Sequence, residues 1–274
     1  MGATVGAETG SAAPLRPAEV WRRAEDARSF LDRAAAELAA VKSELDGMLR
    51  ASPGDRVLDV GCGTGADVRA IAARVGPAGR VVGLDSSKEL IDRAVSAGPG
   101  DAPVEFHHGD ATALPFPDDG FDAARAERVI EHVPDPAAAV AEMLRVVRPG
   151  GQVLITDPDH GLWAPDLDDR ELTRRIMGWW GDHVPNPWIA RQLRDLLVRA
   201  GARDVTVTAR PVVLTSLVAA DSLTWIGKAA GAAAAQGVAT PEEAQVWGEE
   251  ILRRDAEGRF LMLGTFVIVS GTKP

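Results

Sequence analysis

Residues 57–66 constrain the fold of this chain more than any other stretch: they read Val-Leu-Asp-Val-Gly-Cys-Gly-Thr-Gly-Ala. A short apolar strand leads into three glycines spaced one residue apart, and a helical pattern follows over residues 67–75 until Gly76 and Pro77 end it. Because glycine has no β-carbon, the backbone N–H groups of such a turn can approach a ligand closely. The strand, turn and helix therefore predict the first crossover of an open α/β sheet, with a ligand beyond the carboxyl end of the strand.

The glycine turn fits two kinds of ligand. Gly61, Gly63 and Ala66 match the dinucleotide pattern G-x-G-x-x-G/A, which places an anionic pyrophosphate at the helix N-terminus. Gly65 and Asp59 add the remaining features of the first motif of class I S-adenosylmethionine-dependent methyltransferases, which the stretch closely resembles.

Charge favours the second kind of ligand. Asp59, Asp85 and Asp110 all fall at or near the ends of predicted strands, on the side where a ligand binds. Three carboxylates suit the sulfonium and ammonium groups of S-adenosylmethionine better than a diphosphate. The resemblance therefore implies S-adenosyl-L-methionine as the cofactor and S-adenosyl-L-homocysteine as its product.

Further motifs extend the resemblance over residues 55–157, toward methyltransferases of the ubiquinone and menaquinone type. Asp85 matches the acidic position that binds ribose. The other motifs are Gly109-Asp110-Ala111 with Leu114-Pro115-Phe116, Phe121-Asp122-Ala123 leading to Glu131-His132-Val133, and Leu144 to Gly151. A weaker similarity to actinobacterial small-molecule methyltransferases covers residues 156–160, 191–205 and 240–273. The chain has no tyrosine, so no family role of a tyrosine applies to it.

The alternation of strands and helices with short links predicts a parallel sheet with helices on both faces. The resemblance implies a Rossmann-like, doubly wound α/β fold: a mostly parallel seven-stranded sheet with an antiparallel last strand, an N-terminal helix and inserted lid helices. The expected units are a disordered N-terminus at 1–16, an N-terminal helical cap at 17–50, an S-adenosylmethionine-binding core at 51–157, and acceptor-binding insertions with the remaining strands at 158–274.

Three local expectations complete the predicted fold. Ser86 and Glu89 have the spacing of a capping box for the helix after the second strand. The fifth strand is expected over residues 152–156. Residues 216–235 and 241–256 are expected to form two helices.

The resemblance implies a role for each matching residue. The glycines would hold the methionine portion through backbone contacts, Asp85 would accept both ribose hydroxyls, and Asp110 with the backbone of Ala111 would bind adenine. Glu127 and Arg128 fall where the fourth strand faces the transferred methyl group. The predicted cofactor-binding set is Asp59, Gly61, Gly63, Gly65, Asp85, Ser86, Asp110, Ala111, Glu127 and Arg128. The alternatives are structural: Asp85 as a helix-entry acid, Asp110 as the cap of a turn, and Glu127 or Arg128 as a surface charge.

Methyl transfer is an in-line displacement at an activated sulfonium, so the main tasks of the enzyme are alignment and the exclusion of water. A general base is needed only where the nucleophile loses a proton in the reaction, as a hydroxyl does. His132, His160 and His183 are the candidate catalytic residues, by type and by position near strand ends or lid segments. A structural role is the competing interpretation for each of them. No histidines and carboxylates have convincing metal-ligand spacing.

All seven tryptophans lie outside residues 55–157. Aromatic rings concentrated in the variable half suit a pocket for a flat, apolar acceptor, although packing between lid helices is the alternative. The predicted substrate-binding residues are Trp21, Phe30, Trp163, Trp180 and Trp188. We therefore expect the methyl acceptor to be a small aromatic or apolar metabolite of specialised biosynthesis, such as an indole or a phenol, accepting through oxygen, nitrogen or carbon.

Composition argues against several partners. The net charge of −10, with no basic run to offset it, argues against nucleic acid. A single cysteine excludes a disulfide framework and a cysteine-based metal site. No apolar run reaches spanning length, and the first residues lack the pattern of a signal peptide. We therefore expect a cytoplasmic protein that does not bind a membrane. A monomer and a homodimer are both compatible with the sequence.

Two other functions are compatible with the same glycine turn. An NAD-dependent oxidoreductase would need a proton donor, usually a tyrosine or a paired histidine, and the chain has no tyrosine. A repurposed member of the fold would keep the cofactor without transferring methyl. The sequence does not separate this last reading from a methyltransferase, because catalysis by alignment requires no particular side chain.

Overall fold

The structure is a computed structural model that describes residues 38–98 and 103–274. The segment expected to be disordered, residues 1–16, lies outside these ranges, and so do Trp21 and Phe30.

Helix α1, Ala39–Met48, is the described part of the helical cap expected at 17–50. Its buried side chains include Val41 and Leu45, which are one helical turn apart. Val41 packs among the C-terminal helices, and Leu45 packs on one face of the sheet. The helix therefore joins the two halves of the described fold.

Five parallel strands form one half of the sheet. Their bounds are β1 Arg56–Val60, β2 Arg80–Asp85, β3 Val104–His108, β4 Phe121–Glu127 and β5 Val147–Pro158. They lie in the order β3-β2-β1-β4-β5, and each neighbouring pair is parallel. The chain moves outward from β1 to β3 and then returns to β4 on the other side of β1. The switch in strand order thus falls between β1 and β4, which is where ligands bind in open α/β sheets.

Antiparallel strands complete the sheet. β8, Met262–Thr272, pairs with β5, and β7, Arg203–Leu214, pairs with the opposite edge of β8. A two-residue strand, β6 Ala164–Pro165, also pairs with β8. The expectation of a mostly parallel Rossmann-like sheet with an antiparallel last strand is confirmed, and β6 brings the described sheet to eight strands instead of seven.

Helices cover both faces of the parallel half. They are α2 Ala66–Val75, α3 Lys88–Ser96, α4 Pro136–Val146 and α6 Ile189–Arg199. Helices α4 and α6 enclose an apolar core on one face, with Met143 and Leu193 fully buried. Helices α1 and α2 enclose a core on the other face, with Leu45 and Val68 fully buried.

The remaining helices form a separate apolar cluster with the start of β8. They are α5 Arg170–Gly181, α7 Leu217–Thr224, α8 Ile226–Ala235 and α9 Pro241–Ala256. Trp247 of α9 is among the largest buried side chains of this cluster. Over residues 38–98 and 103–274, no helix has both the length and the apolar character needed to cross a bilayer.

Two local expectations are wrong. The residue that caps α3 is Ser87, whose Oγ accepts from the backbone N–H of Leu90 at 3.3 Å, and not Ser86. Ser86 has the spacing to Glu89 that a capping box requires, but α3 begins one residue later, so Ser87 is the N-cap and Leu90 stands at the third helical position. The helix expected over 216–235 is broken into α7 and α8 at Trp225, which has a φ of +57°.

The structure also extends the predicted elements. β5 is longer than the expected 152–156, because pairing with β8 continues to Pro158 and a first pair, Val147 with Phe121, precedes a register shift. Helix α5 was not predicted, because the prolines and charges of residues 157–187 obscured its buried apolar face.

Candidate functional site

A cavity of about 690 Å³ opens at the carboxyl ends of β1 to β4, across the switch in strand order. Its volume is within the range of pockets that hold small ligands, roughly 300–1000 Å³. The glycine turn after β1, the ends of β2 and β3, and the segment after β4 line it. Among the lining residues are Gly61, Gly63, Thr64, Asp85, Ser86, Asp110, Ala111, Glu127, Arg128, Val129 and His132.

The glycine turn passes through positions where side chains do not fit. Gly61 has a φ of +72°, and a β-carbon there would lie 2.2 Å from Cγ2 of Val129. Gly65 has a φ of +77°, and a β-carbon there would lie 2.5 Å from the ring of Phe106. Both positions require glycine for backbone conformation and for space. Gly61 lines the cavity, whereas Gly65 is the N-cap of α2 and lies behind the cavity wall.

Asp85, at the end of β2, joins the glycine turn to the start of α3. Its Oδ2 accepts from the backbone N–H of Gly63, and its Oδ1 accepts from that of Ser87, both at 2.8 Å. Burial raises the pKa of Asp85, although both hydrogen bonds oppose the rise. Asp85 is therefore a helix-entry acid and a cavity residue at once. A carboxylate has roughly four acceptor sites, so capacity remains for the hydroxyl groups of a ligand.

Asp110 and Ala111 follow β3 and line the cavity. Oδ1 of Asp110 accepts from the backbone N–H and from the hydroxyl of Thr112, each at 2.8 Å. These contacts form an Asx turn, so Asp110 does cap a turn, as the structural alternative for this residue proposed. The turn also fixes the carboxylate beside the cavity.

Arg125, in the middle of β4, was not predicted as a site residue. Its side chain is 2 % exposed, and four carboxylates surround it. They are Glu127 at 2.5 Å, Asp46 at 3.2 Å, Asp59 at 3.3 Å and Asp67 at 3.4 Å. The sequence did contain a signal, because an arginine within a strand that helices cover on both faces needs carboxylate partners.

Lys42 of α1 is the second cation beside these carboxylates; we call Arg125, Lys42 and the four carboxylates the charged floor. Its Nζ lies 2.8 Å from Asp67 and 3.1 Å from Glu127. Burial lowers the pKa of Lys42, but the two carboxylates outweigh burial and raise it. Burial also raises the pKa of Asp59 to about 7. With two cations against four carboxylates, the charged floor attracts a cationic ligand group.

A second buried charged group lies on the short 3₁₀ helix after β4, Ile130–His132. Glu131 was not predicted as a site residue, and its side chain is 1 % exposed. Its Oε2 lies 2.5 Å from Nε2 of His160, and its Oε1 lies 3.6 Å from Nε2 of His132 and 3.8 Å from Nε of Arg128. The structure thus brings two of the three candidate histidines to one carboxylate.

The described tryptophans that were predicted to bind substrate do not line the cavity. Trp163 is buried among the C-terminal helices and lies edge-on to Phe266. Trp180 donates from Nε1 to the carbonyl oxygen of Thr224 at 2.7 Å. Trp188 is exposed at the surface. Two of the three rings therefore serve helix packing, as the alternative interpretation held.

Other predicted residues also lie away from the cavity wall. His183 is exposed, and its Nδ1 lies 2.9 Å from the carbonyl oxygen of Trp179. Asp59 belongs to the charged floor and does not itself line the cavity. In the part of the chain that the structure describes, no group of three or more histidine, cysteine or carboxylate side chains could hold a metal ion.

Known proteins match the core and, in one case, most of the chain. Residues 58–155 match the family described as "Methyltransferase domain". Over 253 residues the chain is 36 % identical to an uncharacterised 37.1 kDa protein in transposon Tn4556 of Streptomyces fradiae, which covers 91 % of this chain and 72 % of that protein. Over 134 residues it is 40 % identical to 2-phytyl-1,4-naphtoquinone methyltransferase of Synechococcus elongatus, which covers 47 % of this chain and 56 % of that enzyme. The chain thus matches little more than half the length of that enzyme.

Solved structures share the fold. The [4+2]-cyclase SpnF superposes with a TM-score of 0.54 at 23 % identity, covering 86 % of this chain and 80 % of that protein. Phosphoethanolamine N-methyltransferase 2 of Haemonchus contortus, in complex with S-adenosyl-L-methionine, has a TM-score of 0.52 at 18 % identity, covering 81 % of this chain and 49 % of that protein. At these identities the likeness concerns the fold alone. Taken with the sheet order, the glycine turn and the matched family, the comparisons show that the chain belongs to the class I S-adenosylmethionine-dependent methyltransferases.

Proposed function

We propose that this protein transfers a methyl group from S-adenosyl-L-methionine to a small, apolar acceptor. One observation carries the proposal: the cavity at the switch in strand order adjoins both a glycine turn and a floor with excess negative charge. The turn suits close backbone contact with a ligand, and the charge suits a cationic group. S-adenosyl-L-methionine, which carries a sulfonium and an ammonium group, meets both conditions.

The proposed cofactor contacts are the predicted residues that line the cavity. They are Gly61, Gly63, Asp85, Ser86, Asp110, Ala111, Glu127 and Arg128. Asp85 would accept the ribose hydroxyls with the acceptor capacity left after its two backbone bonds. Asp59 and Gly65 would act indirectly, from the charged floor and from the start of α2. When bound, S-adenosylmethionine supplies a methyl group that its sulfonium has already activated.

The part of the cavity wall beyond the end of β4 is largely apolar, which is evidence for an apolar acceptor. Val129, Val133, Pro134 and Pro185 line the cavity there, together with His132. Such a wall excludes water from the transfer and favours an apolar ring or chain. The quinone in the name of the Synechococcus relative supports the same class of acceptor. A role in specialised-metabolite biosynthesis is part of this proposal, supported by the sequence similarity to actinobacterial small-molecule methyltransferases.

The alternatives have weaker support. The pyrophosphate of NAD would lie near the carboxylates of Asp67 and Glu127, which repel it. The fold does not by itself require methyl transfer, since SpnF is a [4+2]-cyclase. A decisive assay therefore has to measure both cofactor binding and the transfer itself.

Calorimetry with S-adenosylhomocysteine, and separately with NAD, tests the cofactor. A labelled-methyl assay on small phenols, hydroquinones, indoles and amines, with a protein mixture and RNA as comparison substrates, tests the transfer. We expect S-adenosylhomocysteine to bind, NAD not to bind, and label to enter the small molecules. Preferential binding of NAD, label only in macromolecules, or binding without any transfer would contradict the proposal.

A further inference from the structure

Two histidines share one buried carboxylate next to the cavity. Nε2 of His160 lies 2.5 Å from Glu131, and Nε2 of His132 lies 3.6 Å from the other carboxylate oxygen. His132 lines the cavity, whereas Glu131 and His160 lie behind its wall. The order from the cavity inward is therefore His132, Glu131, His160.

Backbone contacts hold Glu131 in place from two elements. Its N–H donates to Oδ1 of Asp157 at 3.3 Å, at the end of β5. Its carbonyl oxygen accepts from the N–H of Asn186 at 2.9 Å, just before α6. The side chain of Asn186 donates to the carbonyl oxygens of Ile130 and Val133, on either side of Glu131. The carboxylate thus has a fixed position relative to His132.

Neighbouring charges determine the protonation of this group. Burial would raise the pKa of Glu131, but His132, His160 and Arg128 outweigh burial and lower it to about 2. Burial lowers the pKa of His132; Glu131 opposes this, while Arg128 and His160 add to it. Burial, with Glu131, raises the pKa of Asp157 well above its usual range. At neutral pH an ionised carboxylate therefore lies beside a neutral imidazole that is able to take up a proton.

We propose that His132 accepts the proton of a hydroxyl group on the methyl acceptor, while Glu131, which is itself held by His160, positions the imidazole of His132 and stabilises the charge that it gains. This inference rests on the proposed methyl transfer and deepens it, because it assigns the acceptor to hydroxyl compounds and the product to methyl ethers. A base beside the cavity serves a hydroxyl, which loses its proton as it reacts. Glu131 is a positioning residue, since it contacts His132 and not the acceptor.

The step balances in atoms and electrons. The O–H bond of the acceptor breaks, and its proton moves to the imidazole of His132. The oxygen electron pair forms the new bond to the methyl carbon, the carbon–sulfur bond breaks, and its electron pair stays on sulfur. The imidazolium then releases its proton to water once the product has left.

Phenols of graded acidity test the role of His132. Phenol has a pKa of about 10, like the tyrosine side chain, whereas 4-nitrophenol is largely ionised in mildly alkaline buffer and needs no base. We expect His132→Asn to lower kcat on phenol roughly 10²–10⁴-fold and kcat on 4-nitrophenol by less than about fivefold. The Kd of S-adenosylhomocysteine should stay within about twofold. His107→Asn is the matched control, because His107 pairs with Glu105 on β3, outside the cavity.

A pH profile tests the positioning role of Glu131. Without the carboxylate charge the pKa of His132 falls, so in Glu131→Gln the acidic limb of kcat/KM should move to lower pH, and kcat should fall about tenfold. A purely structural role would change the activity without moving this limb. His160→Gln, which keeps the buried carboxylate, is the second variant if Glu131→Gln does not fold; because His160 lowers the pKa of His132, its removal should move the acidic limb to higher pH.

The outcomes separate this inference from the proposed function. Methyl found only on nitrogen or carbon, equal losses on the two phenols, or an acidic limb that does not move would overturn the inference and leave methyl transfer standing. Binding of S-adenosylhomocysteine with no transfer to any compound would instead overturn the proposed function, and the inference with it.

Discussion

The guanidinium of Arg125 lies 2.5 Å from the carboxylate of Glu127, two residues further along β4. Residues two apart in a strand face the same side of the sheet, so the strand itself directs both groups toward the cavity floor. Arg125 is almost fully buried, and Glu127 lines the cavity. The charge next to the proposed cofactor site is therefore held by regular structure and not by a loop.

Replacing Arg125 by methionine should lower the free energy of unfolding by about 3–5 kcal/mol, since it leaves Asp59 buried without its ion-pair partner and leaves Glu127 with Lys42 alone. Urea unfolding would measure the loss. Arg175→Met is the control, because Arg175 and its partner Glu243 are each 40 % exposed, so the carboxylate can be solvated after the change. A loss as large in the control would contradict the importance of the buried partners.

Gly61→Ala should destabilise the protein more than Gly76→Ala. Both glycines have positive φ, and a left-handed alanine costs about 1–2 kcal/mol. A β-carbon at Gly76 meets open space, whereas at Gly61 it would lie 2.2 Å from Val129 and add about 1–3 kcal/mol of overpacking. Thermal unfolding and calorimetry with S-adenosylhomocysteine would measure both variants. Equal stabilities, or cofactor binding retained only in Gly61→Ala, would argue against the tight turn.

Asp85→Asn should weaken the binding of S-adenosylhomocysteine about ten- to hundredfold, because an amide group replaces one of two acceptor oxygens and the ribose hydroxyls lose a partner. The backbone N–H groups of Gly63 and Ser87 compete for the remaining oxygen. Isothermal calorimetry would measure the change. Asp92→Asn, which alters an exposed ion pair with Lys88 on α3, should leave the Kd unchanged. Unaltered binding in Asp85→Asn would remove this residue from the proposed site.

The stability difference between the wild type and Glu131→Gln should depend on pH. The pKa of Glu131 is about 2 in the folded protein against an ordinary value of 4.5. As the pH falls, the unfolded chain takes up this proton first, so the charge stabilises the fold above about pH 4.5 and that gain is lost toward pH 2. The variant should be less stable by roughly 3 kcal/mol near neutrality, with the gap closing between about pH 5 and pH 2. Urea titrations at several pH values would show a constant gap if the ionised carboxylate does not matter.

The parallel half of the sheet could be predicted because glycines and prolines mark each turn, and because runs of buried apolar residues mark each strand. The C-terminal half was harder. Helix α5 begins among prolines and charges, and Trp225 takes a left-handed backbone conformation that its helix propensity does not predict. The expected domain limits remain a proposal.

Prediction of the site was uneven for a related reason. The glycine turn consists of consecutive residues, so a local sequence pattern predicts it. The acid at the end of β2 can be predicted in the same way, from its position directly after an apolar strand. Arg125 and Glu131 depend on partners far away in the chain, on α1, α2 and the segment after β5, which no local pattern reveals. The prediction that tryptophans bind the acceptor was wrong for the described rings because a large aromatic ring suits helix packing as well as ligand binding.

The position of β8 between β5 and β7 has a consequence for biosynthesis. Translation releases the five parallel strands and then β7 before it releases residues 262–272, which join the two groups. Until then, both β5 and β7 expose unpaired edges that invite pairing with other nascent chains. During synthesis from the N-terminus, the sheet therefore lacks the strand that lies between β5 and β7. The tendency to aggregate is greatest in the interval before β8 leaves the ribosome.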